Sequence, residues 1–228
     1  MGKWKKWLSA GLFTAMLGTA IIAGPTADVS ANAGNKPYNI ENVSPDAHLA
    51  PSVGDSSSKT SSKAWHKIDG VCYNGSGKKV EGAITRGMDV SEWQGKINWK
   101  EAKKDLDFAF VRISYGTRHL DDYYDYNMTE AEAADVPVGT YVYSLAKTNK
   151  EALAEAQLAI RQMQGHKVSY PVAFDLEDEA TLGTLTRKEI SQIALTFCDE
   201  IRKAGYTPIL YMNLNWYNNF VDWNVLEG

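Results

Sequence analysis

From about Thr85 onward, short apolar runs alternate with longer stretches whose apolar positions recur every three or four residues. The short runs are Gly87–Val90, Phe108–Ile113, Val138–Tyr143, Val172–Glu177 and Pro208–Met212, and their length and bounding turn formers predict strands. Two of the intervening stretches carry helix-start signals. Thr148-Asn149-Lys150-Glu151 and Thr186-Arg187-Lys188-Glu189 each set a Thr three residues ahead of a Glu, the spacing of a capping box. Gly165 and Gly205 stand where left-handed C-caps would end these helices. In the second helix Ile190, Ile193, Ala194, Phe197, Cys198 and Ile201 fall on one stripe. Alternating strands and helices imply parallel strands joined by right-handed crossovers, an α/β pattern that an open doubly wound sheet and a barrel both satisfy. No GxGxxG follows the first strand, which weighs against a dinucleotide site. In both architectures the functional end is where the strands finish.

Upstream the pattern changes. Lys3, Lys5 and Lys6 precede a mostly apolar run from about Leu8 to Ala23, and Ala31-Asn32-Ala33 supplies a small-x-small cleavage pattern. The run is short for a membrane span, so residues 1–33 read as a secretory signal peptide, with a retained N-terminal anchor as the alternative. Residues 34–63 hold the Ser-rich run Asp55–Ser62 and read as a linker. Residues 64–84 place Val71-Cys72-Tyr73 ahead of Asn74-Gly75, a hairpin-turn dipeptide, and predict a short β-hairpin extension on the edge of the main domain, residues 85–228.

Composition narrows the classes. With 44% hydrophobic and 23% charged residues among 228, wholesale disorder is excluded. A formal charge of −4 argues against nucleic acid as a partner, because phosphate binding needs a basic face. Seven Trp and twelve Tyr suit a carbohydrate cleft, and equally an aromatic core. Export would permit a disulfide between Cys72 and Cys198, but Cys198 lies on the apolar stripe and reads as a free buried thiol. There is no CxxC or HExxH, and the four His are scattered, so a zinc site has little support.

The chemistry gathers at the strand ends. In Val172-Ala173-Phe174-Asp175-Leu176-Glu177-Asp178 the two acids Asp175 and Glu177 share one face of a strand, with Phe174 and Leu176 on the other. Burying two acids together raises at least one pKa, and a protonated acid beside an ionised one suits cleavage of a glycosidic bond. Asp178 reads as a cap for the following helix. Asp89 closes the first strand, Tyr143 the third, and Tyr211 and Asn213 the fifth. Three acids with aromatic platforms and an amide suit a saccharide. An acid-rich rim also suits Mg²⁺, as a secondary reading.

Four segments carry a resemblance: Gly87–Gly95, Phe108–Gly116, Gly139–Ser144 and Pro171–Asp178. In order and spacing, from about Thr85 to the end, they resemble the family 25 glycoside hydrolases, the Chalaropsis-type lysozymes or N-acetylmuramidases. The resemblance implies an irregular TIM-like β/α barrel and hydrolysis of the β-1,4 bond between N-acetylmuramic acid and N-acetylglucosamine in peptidoglycan, without metal or cofactor. It implies Glu177 as general acid and base, Asp175 as the carboxylate assisting at the acetamido group or ring cation, and Asp89 as a third acid of the site. Tyr143, Tyr211 and Asn213 fall where the family lines its cleft. Trp93 is either a sugar platform or a core residue. The family's domain continues for further strands, so the barrel is expected to be incomplete at the C-terminus. Together these imply a secreted, extracellular or cell-wall-associated lysozyme with no stable membrane span after signal cleavage. The alternative is a catalytically inactive wall-binding protein or fragment.

Overall fold

In the computed structural model, residues 66–74 and 77–227 are described, so the signal peptide and linker expected over 1–33 and 34–63 lie outside them. Strands β1 (His66–Ile68) and β2 (Val71–Tyr73) form a separate antiparallel hairpin. Strands β3 (Gly87–Val90), β4 (Phe108–Tyr115), β6 (Val138–Tyr143), β7 (Val168–Asp175) and β8 (Pro208–Tyr211) pair in that order, parallel throughout. The short β5 (His119–Leu120) folds back antiparallel on β4. Helices α1 (Trp99–Ala102), α2 (Tyr124–Ala133), α3 (Asn149–Met163), α4 (Glu179–Leu182), α5 (Arg187–Lys203), α6 (Leu214–Asn219) and α7 (Trp223–Leu226) fill the connections.

Strand alternation sorts the sheet into two faces. Val90, Ala109, Val111, Ile113, Val138, Val142, Val172, Phe174 and Leu176 point to the helices, where they meet Ala152, Ala156, Ala159 and Met163 of α3 and the α5 stripe. That stripe is buried at all six expected positions, Cys198 included. Both expected helix starts form. The Thr186 box closes in both directions, whereas Glu151 reaches one residue further back to Lys147 N–H at 2.7 Å. Gly165 and Gly205 adopt φ of 88° and 91° just past the helix ends, a conformation that costs glycine little.

The other face of the sheet carries an apolar cluster of strand residues alone: Phe108, Phe110 and Ala173, with Tyr141, Tyr170, Ile209 and Tyr211 against them. Two glycines make room for it. A Cβ on Gly139 would lie 2.6 Å from the Pro171 carbonyl and 2.7 Å from the Phe110 ring, and one on Gly87 would enter the Phe108 ring.

Several expectations need correction. The described strands do not close into a barrel: β3 and β8 remain the outer strands of an open sheet, since each pairs on one side only. Closure requires the two outer strands to pair in a matching stagger, and no pairing joins β3 to β8. β7 begins at Val168 rather than Val172, and its pairing ends at Asp175 rather than Glu177. Its register with β6 shifts between Val138 and Thr140, and Pro171, which has no N–H to donate, sits in that irregularity. The hairpin turn is Asp69-Gly70, with φ of 48° and 79°, as a two-residue primed turn requires. Asn74 instead starts a second reversal, in which Tyr73 bridges Lys79; Gly75 lies outside the described residues. Lys67 holds the hairpin to the start of β4 through Asp107 at 3.0 Å. Cys72 and Cys198 are both buried and free.

Candidate active site

At the C-terminal end of the sheet the register lays four residues in one lateral row. Tyr115 on β4 pairs with Tyr143 on β6, Tyr143 with Asp175 on β7, and Asp175 with Tyr211 on β8. Paired residues of parallel strands project to the same side, here the side away from the helices. Main-chain bonds run past the row: Ser144 N–H donates to the Asp175 carbonyl at 3.0 Å, and Leu176 N–H to the Tyr211 carbonyl at 2.9 Å. The strand alternation therefore persists past Asp175, and Leu176 is buried in the helix-side core as its position requires.

Asp175 is buried, and its Oδ1 has no hydrogen-bond partner. Burial, then the charges of Glu177 and Asp89, hold its carboxyl well above the usual carboxylate range, while Arg112 pulls it back down. Glu177, two residues on, is half-buried, so the pair divides into a deep acid and one nearer solvent. Asp89 is reached by solvent, yet it stands among enough protein atoms that desolvation raises its carboxyl too. The access of water argues for a smaller rise than at Asp175. Of the three acids, Asp175 is the one on which burial and like charge act together to favour the protonated form.

Arg112 is a site residue that the amino-acid pattern did not single out. It lies on β4 beside Tyr141 in register, nearly buried, and no single motif pointed to it. Its Nε donates to Asp121 Oδ2 at 2.9 Å and its Nη2 to Glu92 Oε1 at 2.8 Å. Asp121 also accepts the N–H groups of Glu92 and Tyr123 at 2.8 and 3.0 Å, and Glu92 meets His119 Nε2 at 2.8 Å. Arg112 is thus paired with two carboxylates, while its charge still bears on Asp175 and Tyr141. The available signal was a lone cation inside the apolar run Phe108–Ile113.

The tyrosines are tied to the acids electrostatically. Burial and the negative charges of Asp175, Asp178, Glu177 and Asp89 raise the hydroxyls of Tyr143 and Tyr211, so both remain neutral donors. Tyr141, whose hydroxyl is raised by burial and by Asp89, joins them on the same face and was not anticipated. Asp178 caps α4 as expected, accepting Thr181 N–H at 2.9 Å, and also accepts the Tyr115 hydroxyl at 3.1 Å. Asn213 is the N-cap of α6: its Oδ1 accepts Trp216 N–H at 3.1 Å, which commits that oxygen to the helix. Trp93 is 58% exposed on the 3-10 turn Glu92–Gln94, which removes the core alternative. Among the described residues no cluster of three or more His, Cys, Asp or Glu is arranged to hold a metal ion, and no helix is long and apolar enough to cross a membrane.

Comparison with known proteins gives the chain a family and a fold likeness. Residues 88–227 match the family model described as Glycosyl hydrolases family 25. YegX of Escherichia coli K12, described as uncharacterized, is 26% identical over 139 residues, covering 58% of this chain and 49% of YegX. Lysozyme M1 of Streptomyces globisporus is 38% identical over 60 residues, 26% of this chain and 20% of its own. The chain thus spans about half or less of the length of these curated relatives. Among solved structures, the modular autolysin LytC from Streptococcus pneumoniae in complex with a synthetic peptidoglycan ligand is similar, with a TM-score of 0.55 and 23% identity over 68% of this chain and 39% of that one. At that identity the likeness is one of fold.

Proposed function

Since the family match spans residues 88–227, the chain belongs to the family 25 glycosyl hydrolases, and on that premise we propose that it is a muramidase. The substrate is peptidoglycan, cleaved at the β-1,4 bond between N-acetylmuramic acid and N-acetylglucosamine, at or outside the cell wall. The observation that carries this reading is Asp175: a buried acid with an unpartnered oxygen, raised by Glu177 and Asp89, on a tyrosine-lined face. The named relatives, a lysozyme and a peptidoglycan-bound autolysin, support the substrate class.

Asp175 and Glu177 act as a pair that holds a proton above the usual carboxylate range. In the free protein burial keeps that proton on Asp175. A substrate whose acetamido N–H donates to Asp175 Oδ1, or whose ring gains positive charge beside it, favours the ionised form of Asp175. The proton then belongs on Glu177, which is nearer the mouth and protonates the departing glycosidic oxygen. After departure the Glu177 carboxylate takes a proton from the incoming water as the water oxygen bonds to the anomeric carbon, which returns Glu177 to its acid form. Asp89 and Tyr211 border this exchange, and Arg112 keeps Asp175 from being locked in its neutral form.

Purified full-length protein should lower the turbidity of a peptidoglycan suspension and release new reducing ends, and Glu177→Gln should reduce that rate by about a hundred-fold or more. An unchanged rate in Glu177→Gln would remove the role given to it. A second reading, a wall-binding protein without hydrolysis, is motivated by the open sheet, which leaves Asp89 exposed to water. It requires sedimentation with peptidoglycan and no reducing ends from the wild type.

A further inference from the structure

We propose that Tyr115, with its hydroxyl anchored on Asp178, is a saccharide platform beside the acids, holding a sugar of the glycan strand next to the bond that is cleaved. The proposal rests on the muramidase reading and adds a subsite to it. Three observations meet at Tyr115. It ends β4 in register with Tyr143, and so extends the row Tyr143–Asp175–Tyr211 by one strand, away from β8. At about 4.8 Å per strand the four-residue row spans about 14 Å, more than one pyranose ring needs. Next, its ring stacks on Tyr143 at 4.9 Å between centroids and 16° between planes, yet Tyr115 remains 38% exposed. One ring face is therefore backed by protein. Last, the Tyr115 hydroxyl donates to Asp178 Oδ2 at 3.1 Å, and Asp178 is itself fixed as the cap of α4.

An aromatic ring in this state is suited to the C–H face of a sugar. It is rigid before the ligand arrives, so little side-chain entropy is lost on stacking. Burial and Asp178 raise its hydroxyl above the ordinary tyrosine range, so the ring stays neutral at working pH. Asp178 keeps one carboxylate oxygen on Thr181 N–H and the other on Tyr115, and the pair orients the ring without consuming its exposed surface. Exposed Leu120 lies on β5, which pairs with the end of β4, and the Glu92–His119 bond ties the Trp93-bearing turn to that hairpin. On β5 it is His119 that pairs with Tyr115, so the Trp93-bearing turn is tied to the end of β4 on the β3 side of the acids.

The test compares wild type, Tyr115→Ala and Tyr115→Phe, all full-length, on a soluble tetrasaccharide of alternating N-acetylglucosamine and N-acetylmuramic acid. Tyr115→Ala should raise KM by about ten-fold with kcat within about three-fold, because the stacking removed is made equally in the ground and transition states. Tyr115→Phe keeps the ring and loses the Asp178 bond, so its KM should rise about three-fold or less. Thermal melts identify an unfolded variant, and Tyr115→Phe then carries the comparison with a Tyr115→Leu variant, which removes the aromatic face and keeps bulk. An unchanged KM in Tyr115→Ala, or a fall in kcat alone, overturns the subsite while leaving the muramidase reading intact. If the wild type releases no reducing ends, that reading fails. Titration of intrinsic fluorescence with the same tetrasaccharide then decides the subsite: binding lost in Tyr115→Ala supports it, and equal binding or none overturns it.

Discussion

Glu155 on α3 and Ser144 just past β6 are joined inside the protein, the Ser144 hydroxyl donating to Glu155 Oε2 at 2.8 Å. Leu145 N–H donates to Oε1 at 3.0 Å, and Ala146 N–H donates to Ser144 Oγ at 3.2 Å. A buried carboxylate thus fixes the turn that follows Tyr143, and Ser144 in turn holds the Asp175 carbonyl. The arrangement carries an electrostatic cost, since burial pushes the Glu155 carboxyl up to about 7 despite those two donors.

The sign of the resulting pH dependence follows from linkage. The folded pKa lies above the unfolded one, so the folded chain binds the extra proton between them. The stabilising contribution is complete below about 4.5 and is lost as pH rises through about 7, a change of about 3 kcal/mol. Glu155→Gln cannot titrate, so the melting temperature of the wild type should fall relative to that variant between about pH 5 and pH 8. A difference that stays flat across that window would show that Glu155 does not titrate there.

Asp175→Asn should separate stability from activity. It removes a carboxyl held away from water beside two like charges, so resistance to denaturant at neutral pH should rise by about 1 to 2 kcal/mol. Release of reducing ends should meanwhile fall by about a hundred-fold or more. A variant that is both destabilised and active would mean that Asp175 is neither held protonated by burial nor needed for cleavage.

Arg112 is the cation that balances this region, and its removal should be costly. Arg112→Gln leaves Asp121 buried with backbone donors alone and frees Glu92 from its guanidinium partner, which should cost about 3 kcal/mol in chemical denaturation. Arg112→Lys keeps the charge and loses the two-pronged geometry, so it should fall between. Equal stability of Gln and Lys variants would mean that charge is not what Arg112 supplies.

Two glycines can be contrasted by calorimetry. Gly139→Ala forces a methyl into the Pro171 carbonyl and the Phe110 ring, and should cost about 2 to 4 kcal/mol. Gly165→Ala meets open space at φ of 88°, so only backbone strain opposes it, about 1 kcal/mol. The order would reverse if the sheet could shift at Gly139 without loss.

The amino-acid sequence alone determined what is local. Capping at Thr148 and Thr186, termination at Gly165 and Gly205, the buried stripe from Ile190 to Ile201, and the strands around β3, β4, β6 and β8 all follow from spacing and backbone preference, which neighbouring residues settle among themselves. It also pointed to Asp89, Asp175, Tyr143 and Tyr211 as strand-end residues. Helix α2 was legible only as one of the stretches between strands: it has no side-chain cap, and the buried Asn127, which accepts the Trp99 indole N–H at 3.1 Å, interrupts its apolar face. The early start of β7 was hidden by Pro171, which reads as a strand boundary until a register shift removes the need for its N–H. Only the tertiary structure decided that Tyr115 stands in line with Asp175, that Arg112 is held by Glu92 and Asp121, that Asp175 is the deeper acid, and that β3 and β8 stay apart. Those outcomes depend on register between distant segments and on how many atoms surround a charge. Both are properties of the packed chain, and no local pattern encodes them.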